Sequence, residues 1–160
     1  MSNTNNLRPG LESLGYTMLI LGGIYGLLLP FGFLASNLAL PDFCFLLTAA
    51  WVLRRPEQLP LVLVAVLALV ADILLERPVG LWAMLLILGS EFLRSQGERL
   101  RDEIFLAEWA TVAGVLLVMA VLNLILLAVA LAPLPDTWLY LTYLGATIAA
   151  YPLIVAFLHW

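Results

Sequence analysis

The sequence predicts an all-α integral membrane protein with six transmembrane helices, and three observations lead there. The 160 residues are 64% hydrophobic and only 11% charged, whereas an ordinary water-soluble domain is about half apolar and about a quarter charged. The mean hydropathy of +1.06 points the same way. The apolar residues gather into six runs separated by short polar or proline-containing breaks. No run alternates with the period of two that a membrane barrel needs. Hydrocarbon offers no water to backbone groups, so each run is expected to satisfy its own backbone as a helix. The expected spans are 15–34, 41–55, 60–75, 78–93, 104–131 and 135–160, within one polytopic domain over residues 1–160.

The first run follows MSNTNNLRPGLESLG, which lacks a basic region close to the apolar stretch, and no small-residue cleavage site follows it. It reads as a retained span rather than a removable signal. Gly22 and Gly26 form a GxxxG pair in this run, with Gly15 and Gly23 as further small positions. Helices approach closely along such a face, either within one molecule or against the transmembrane helix of another. Ala110 with Gly114, and Ala146 with Ala150, are weaker versions.

The second run opens after Pro41-Asp42 and stops at Arg55, because Pro56 disfavours helical geometry in the residue before it; Pro60 then restarts the chain as helix three. Pro41, Pro78 and Pro135 each lie near the first turn of a helix entering from the same side, where a missing N–H costs nothing. Asp42 and Asp136 add negative charge at the positive end of the helix dipole. The matching Leu40-Pro41-Asp42 and Leu134-Pro135-Asp136 are therefore expected to reflect shared capping chemistry rather than an internal repeat.

Runs two, three and four are short, reaching roughly 23 Å against a hydrocarbon thickness of about 30 Å. They are expected to be sheltered by protein or bordered by thinned lipid. Run five reaches about 42 Å and must tilt or project from the bilayer.

The chain has seven basic residues, all arginine. With the N-terminus in the cytoplasm, Arg8, Arg54, Arg55, Arg94, Arg99 and Arg101 fall inside and only Arg77 outside, so the positive-inside rule places both termini in the cytoplasm. Trp82 and Trp138 then belong near the outer interface, and Trp51, Trp109 and Trp160 near the inner one.

Asp72, inside the third run, is the polar residue that most demands a partner. An ionised aspartate at the centre of a membrane helix costs on the order of 2.5 to 3.5 kcal/mol. Two readings are open: a cap for helix four, using backbone N–H groups at the start of that helix or Arg77, and a proton or ligand site. Glu91 and Glu108 sit near inner helix ends and can reach the arginines of RSQGERLRDE, where Arg94/Glu98 and Arg99/Glu103 have helical i,i+4 spacing. Asn123 is expected to bridge helices, and the lone His159 is a poor metal ligand. Cys44 has no intramolecular partner and is expected to pack as a small apolar group. No catalytic motif, phosphate loop or metal-ligand spacing is present, so neither an enzyme nor a cofactor is expected, and nothing suggests nucleic-acid binding.

Pro41-Asp42, then Trp51 with Arg54-Arg55-Pro56, then Ala71-Asp72-Ile73-Leu74-Leu75 and Pro78-Val79-Gly80-Leu81, in this order and spacing, resemble the bacterial rod shape-determining MreD family. Ala68 and Glu76 stand near positions where that family often has glycine. The resemblance implies a six-helix fold similar to the substrate-binding subunits of energy-coupling-factor transporters. It also implies a non-enzymatic inner-membrane component that scaffolds or regulates lateral peptidoglycan synthesis with MreC and, indirectly, with MreB, RodA and a penicillin-binding transpeptidase. Asp72, Arg54, Arg55, Pro56, Gly80, Gly22 and Gly26 are the structural or partner-facing candidates. The competing expectation is a small-molecule-binding transporter subunit with its site near Asp72.

Overall fold

In the computed structural model, residues 15–22, 40–75, 77–100 and 103–158 are described. Among these the chain is entirely helical: α1 (15–22), α2 (Phe43–Arg54), α3 (Leu61–Leu74), α4 (Leu81–Leu100), α5 (Phe105–Val129) and α6 (Thr137–Leu158), with a short 3₁₀ turn at Pro56–Gln58. Gly23, Gly26, Arg8, Glu76, Arg101, His159 and Trp160 lie outside the described residues, as does the rest of the first expected span beyond residue 22.

The centre of the molecule is α2. Nine of its twelve residues are buried, as expected for a helix that is apolar on every side. It packs against α3, α4 and α6, while α5 closes the bundle against α4 and α6. Cys44 is buried there as an apolar group. Tyr16 and Ile20, four apart on α1, are both buried in the same core, and the Tyr16 and Thr48 hydroxyls lie 2.8 Å apart. At the α4–α5 crossing the small residue that allows close approach is Gly89: a Cβ there would lie 2.6 Å from Met119 Sδ and 3.2 Å from Val115 Cγ1. Gly15, Gly22, Gly114 and Gly145 instead face open space.

Two helices, α5 and α6, are long and apolar enough to cross a membrane; α2 and α3 are apolar but shorter. In the most apolar window of α5 only 33% of residues are buried, and in that of α6 only 22%. The core helix of a water-soluble protein would be mostly enclosed. The outward faces of α3, α4, α5 and α6 carry Val62, Val66, Ile73, Leu88, Phe92, Val118, Val121, Leu153 and Phe157, all exposed. A contiguous apolar exterior of this kind is unfavourable against water.

Several boundaries differ from the sequence expectation. The helix expected to end at residue 93 continues to Leu100, because the polar stretch after Leu93 contains helix-compatible Arg, Gln and Glu once the apolar face has ended. Pro41 and Pro135 lie outside their helices, each one residue before a capping aspartate: Asp42 Oδ1 accepts from Phe45 N, and Asp136 Oδ1 from Leu139 N, both at 3.0 Å. The paired Leu-Pro-Asp sequences thus share a cap. Helix α2 ends as expected, with Arg55 as C-cap and Pro56 opening the 3₁₀ turn.

Helix α5 ends in a Schellman pattern, with Leu131 N donating to Ala128 O and Ala132 N to Leu127 O. Leu131 occupies the left-handed position of that motif at φ 52, where a Cβ costs about 1 kcal/mol or more, and its side chain is 93% exposed. Replacing Leu131 with glycine should therefore raise the thermal unfolding midpoint in mild detergent, by the equivalent of about 1 kcal/mol. A lower midpoint would show that the leucine side chain supports the turn.

Candidate functional site

The side-chain contacts gather polar groups at two ends of the bundle. One end holds the start of α2, the α3–α4 turn and the first turns of α6. The other holds the end of α2, the starts of α3 and α5, and the later turns of α4 and α6.

At the first end Asp72 acts as the cap for α4. Its side chain is completely buried, and Oδ2 accepts from Gly80 N at 3.0 Å and Ala83 N at 3.1 Å. These N–H groups belong to the first turn of a helix, which has no internal acceptors for them. The carboxylate supplies the acceptor and also lies at the positive end of the α4 dipole. Arg77 N donates to the Asp72 carbonyl at 2.9 Å, closing the turn. Gly80 has φ +86, a left-handed geometry that glycine adopts without Cβ strain. Of the open readings of Asp72, this geometry is the capping one.

The side chain of Arg77 goes elsewhere. Its Nη1 lies 3.3 Å from Asp42 Oδ2, and the same oxygen accepts from the Tyr143 hydroxyl on α6. Asp42 N donates to Thr147 Oγ1 at 3.0 Å, and Thr147 Oγ1 donates to the Tyr143 carbonyl at 2.8 Å. Asp42 therefore links the start of α2, the α3–α4 turn and α6. Burial is the largest single influence on Arg77 and works against its charge, but the Asp42 carboxylate and the Tyr143 hydroxyl together outweigh it, and the arginine pKa lies above its ordinary value. The guanidinium also sits over the Trp82 ring at 5.6 Å and the Tyr143 ring at 5.9 Å, within cation–π range. Trp82, expected at an interface, is buried beneath Arg77, whereas Trp138 is 76% exposed as an interfacial ring would be.

At the opposite end Arg54 Nη2 pairs with Glu108 Oε1 on α5 at 2.9 Å, and that oxygen also accepts from the Tyr151 hydroxyl on α6. Glu108 thus engages Arg54 rather than the arginines after residue 93. Arg94 reaches the Leu59 carbonyl at 2.8 Å and pairs with Glu91, at i,i+3, rather than with Glu98. Arg55 is the exposed C-cap of α2, its N–H donating to Trp51 O at 2.7 Å, and Pro56 sets the turn that follows. Arg54, Arg55, Arg94 and Arg99 all fall toward this end and Arg77 toward the other. Asn123 Nδ2 lies 3.4 Å from the Tyr140 hydroxyl, which donates to Ala120 O at 3.2 Å, so this amide joins α5 to α6 as expected.

The structure therefore brings Asp72 and Gly80 together at one end and places Arg54, Arg55 and Pro56 at the other. Gly22 is apart from both, on the exposed face of α1. Tyr143, Thr147, Tyr151 and the pairing role of Asp42 were not identified from sequence, because hydroxyl groups in apolar helices give no spacing signal. A groove of about 380 Å³ lies between the ends of α5 and α6, walled by residues including Leu124, Ile125, Ala128, Leu134 and Tyr140. Asp72 does not line it.

Two substitutions separate the cap from an ionisable site. Asp72→Ala leaves the Gly80 and Ala83 N–H groups without their acceptor and should cost roughly 2 kcal/mol. Asp72→Asn keeps a carbonyl acceptor in place and should retain most of the thermal stability. Equal loss in both variants would mean that the charge, rather than the acceptor, is needed. Gly80→Ala should lower stability by about 1–2 kcal/mol through the left-handed backbone alone, since the nearest atom to an added Cβ is 3.9 Å away; no change would place that cost in doubt.

No protein-family model, curated protein or solved structure matches this chain.

Proposed function

We propose that this protein is a non-enzymatic, multi-pass component of the bacterial inner membrane. In this reading it scaffolds or regulates lateral peptidoglycan synthesis and rod shape together with MreC, in the manner of the MreD family. All six helices are embedded, the short α2 and α3 being sheltered by one another and by their longer neighbours. Both termini face the cytoplasm, as the basic residues at the Arg54 end favour.

The observation that carries this reading is where the MreD-like residues lie. Asp42, Asp72 and Gly80 tie the start of α2 and the α3–α4 turn together, while Arg54 fastens α2 to α5. These side chains are engaged in holding helices, which suits a rigid body that presents an outer face to a partner. The faces left over are apolar: α1 has open space at Gly22, and α5 has open space at Gly114 with Ala110 exposed beside it. Small residues at such positions admit a neighbouring transmembrane helix. The MreC membrane helix is the partner this role requires, with MreB, RodA and a penicillin-binding transpeptidase reached through it.

The alternative is a small-molecule-binding transporter subunit. Its support is the second oxygen of Asp72, Oδ1, which is buried and has no hydrogen-bond partner among the described residues. Uptake of a solute abolished by Asp72→Asn, in protein that folds normally, would establish that alternative. Cysteines at Gly22 or Gly114 should crosslink to MreC in membranes, while cysteines at Val62 or Val66 on α3 should not, and depletion should cost rod shape. Crosslinks confined to the α3 positions would overturn the proposed contact.

A further inference from the structure

Pro152 lies inside α6. It has no N–H to offer the carbonyl four residues earlier, and its ring crowds that carbonyl, so the helix loses a rung at Ile148. In an apolar interior, an acceptor released in this way needs another donor. Trp109 on α5 supplies it: the indole Nε1 donates to Ile148 O at 2.9 Å. This tryptophan, expected near the inner interface, spends its N–H group on the gap that the proline opens.

The neighbouring residues reinforce the same place. Glu108, directly before Trp109, accepts from Tyr151, directly before Pro152, and pairs with Arg54. One turn of α5 therefore grips one turn of α6, and the grip continues to the end of α2. Before the break α6 is fastened by Tyr143 and Thr147 to Asp42. After it, Leu153 and Phe157 face outward, Val155 is buried, and Ile154 and Leu158 are partly buried against the core.

We infer that Pro152 divides α6 into a fixed segment and a hinged arm, and that the Trp109–Ile148 hydrogen bond, with Tyr151 and Glu108 beside it, is the latch that sets the arm's angle. The inference is independent of the elongation role. Loss of the latch frees the end of α6 while the Asp42 end of the bundle stays in place. A stimulus acting on the arm would thus be transmitted to α2 through Arg54.

The test uses the full chain, with Cys44 replaced by alanine, in lipid nanodiscs. Spin-label distances are measured from Glu103 to Phe157 on the arm and from Glu103 to Leu141 on the fixed segment. Trp109→Phe removes the N–H and keeps most of the ring. It should broaden the Phe157 distance distribution and leave that of Leu141 unchanged. Adding Pro152→Ala restores an N–H four residues after Ile148 and should narrow the Phe157 distribution again. The proposal is overturned if Trp109→Phe leaves the Phe157 distribution unchanged, if it broadens both distributions alike, or if Pro152→Ala fails to reverse the effect.

Discussion

Helix α2 has twelve residues and rises about 18 Å, well short of a hydrocarbon layer of about 30 Å. It is apolar on all sides and enclosed by its neighbours, so neither of its ends reaches past the bundle unaided. The polar groups at those ends must find partners within the protein. Asp42 meets that need at one end by capping α2 while taking Arg77 and Tyr143. Arg54 meets it at the other through Glu108. The remaining architecture follows from these requirements: α6 must lie where Tyr143, Thr147 and Tyr151 can reach both ends, and α4 must begin where Asp72 can cap it.

A buried ion pair is not in itself a strong source of stability, because taking two charges out of water costs much of what their attraction returns. Its value here is placement. Losing Arg77 leaves Asp42 charged and enclosed, while Arg54 and Glu108 keep partial access to solvent, so arrangements in which α2 slides or rotates are penalised most at the Asp42 end. The Asp42 and Arg54 clusters, at opposite ends of a single helix, define its register more sharply than the surrounding leucines and valines do, since those can repack at small cost. In the proposed elongation role, a core held this way would let the outer helices present a constant face to a partner.

The sequence was informative where chemistry is local. Proline at 56 marked the end of α2, the Pro-Asp pairs marked two helix starts, and an aspartate in an apolar run followed by Pro-Val-Gly marked the cap of α4. Pairings across long separations were not legible. Tyr143 bonds Asp42 across 101 positions and Thr147 bonds it across 105, and nothing in the spacing of hydroxyls within α6 singles them out. The length of α4 was also hidden, because hydropathy ends where the apolar face ends while the backbone continues as helix. Among the described glycines the one at a tight crossing is Gly89, while Gly22 faces open space: a pattern of small residues shows where approach is allowed and not where it occurs.

The proposed function requires the two ends of the bundle to lie on opposite sides of a membrane. Impermeant maleimide labelling of single cysteines in intact cells tests this most directly, in a Cys44→Ala background, with cysteines at Glu57 and Glu103 for the Arg54 end and at Leu134 for the Asp42 end. The expected result is labelling at Leu134 from outside, and at Glu57 and Glu103 only after the membrane is opened. Labelling of Glu57 or Glu103 from outside together with Leu134 would contradict the membrane-spanning bundle and the function proposed from it.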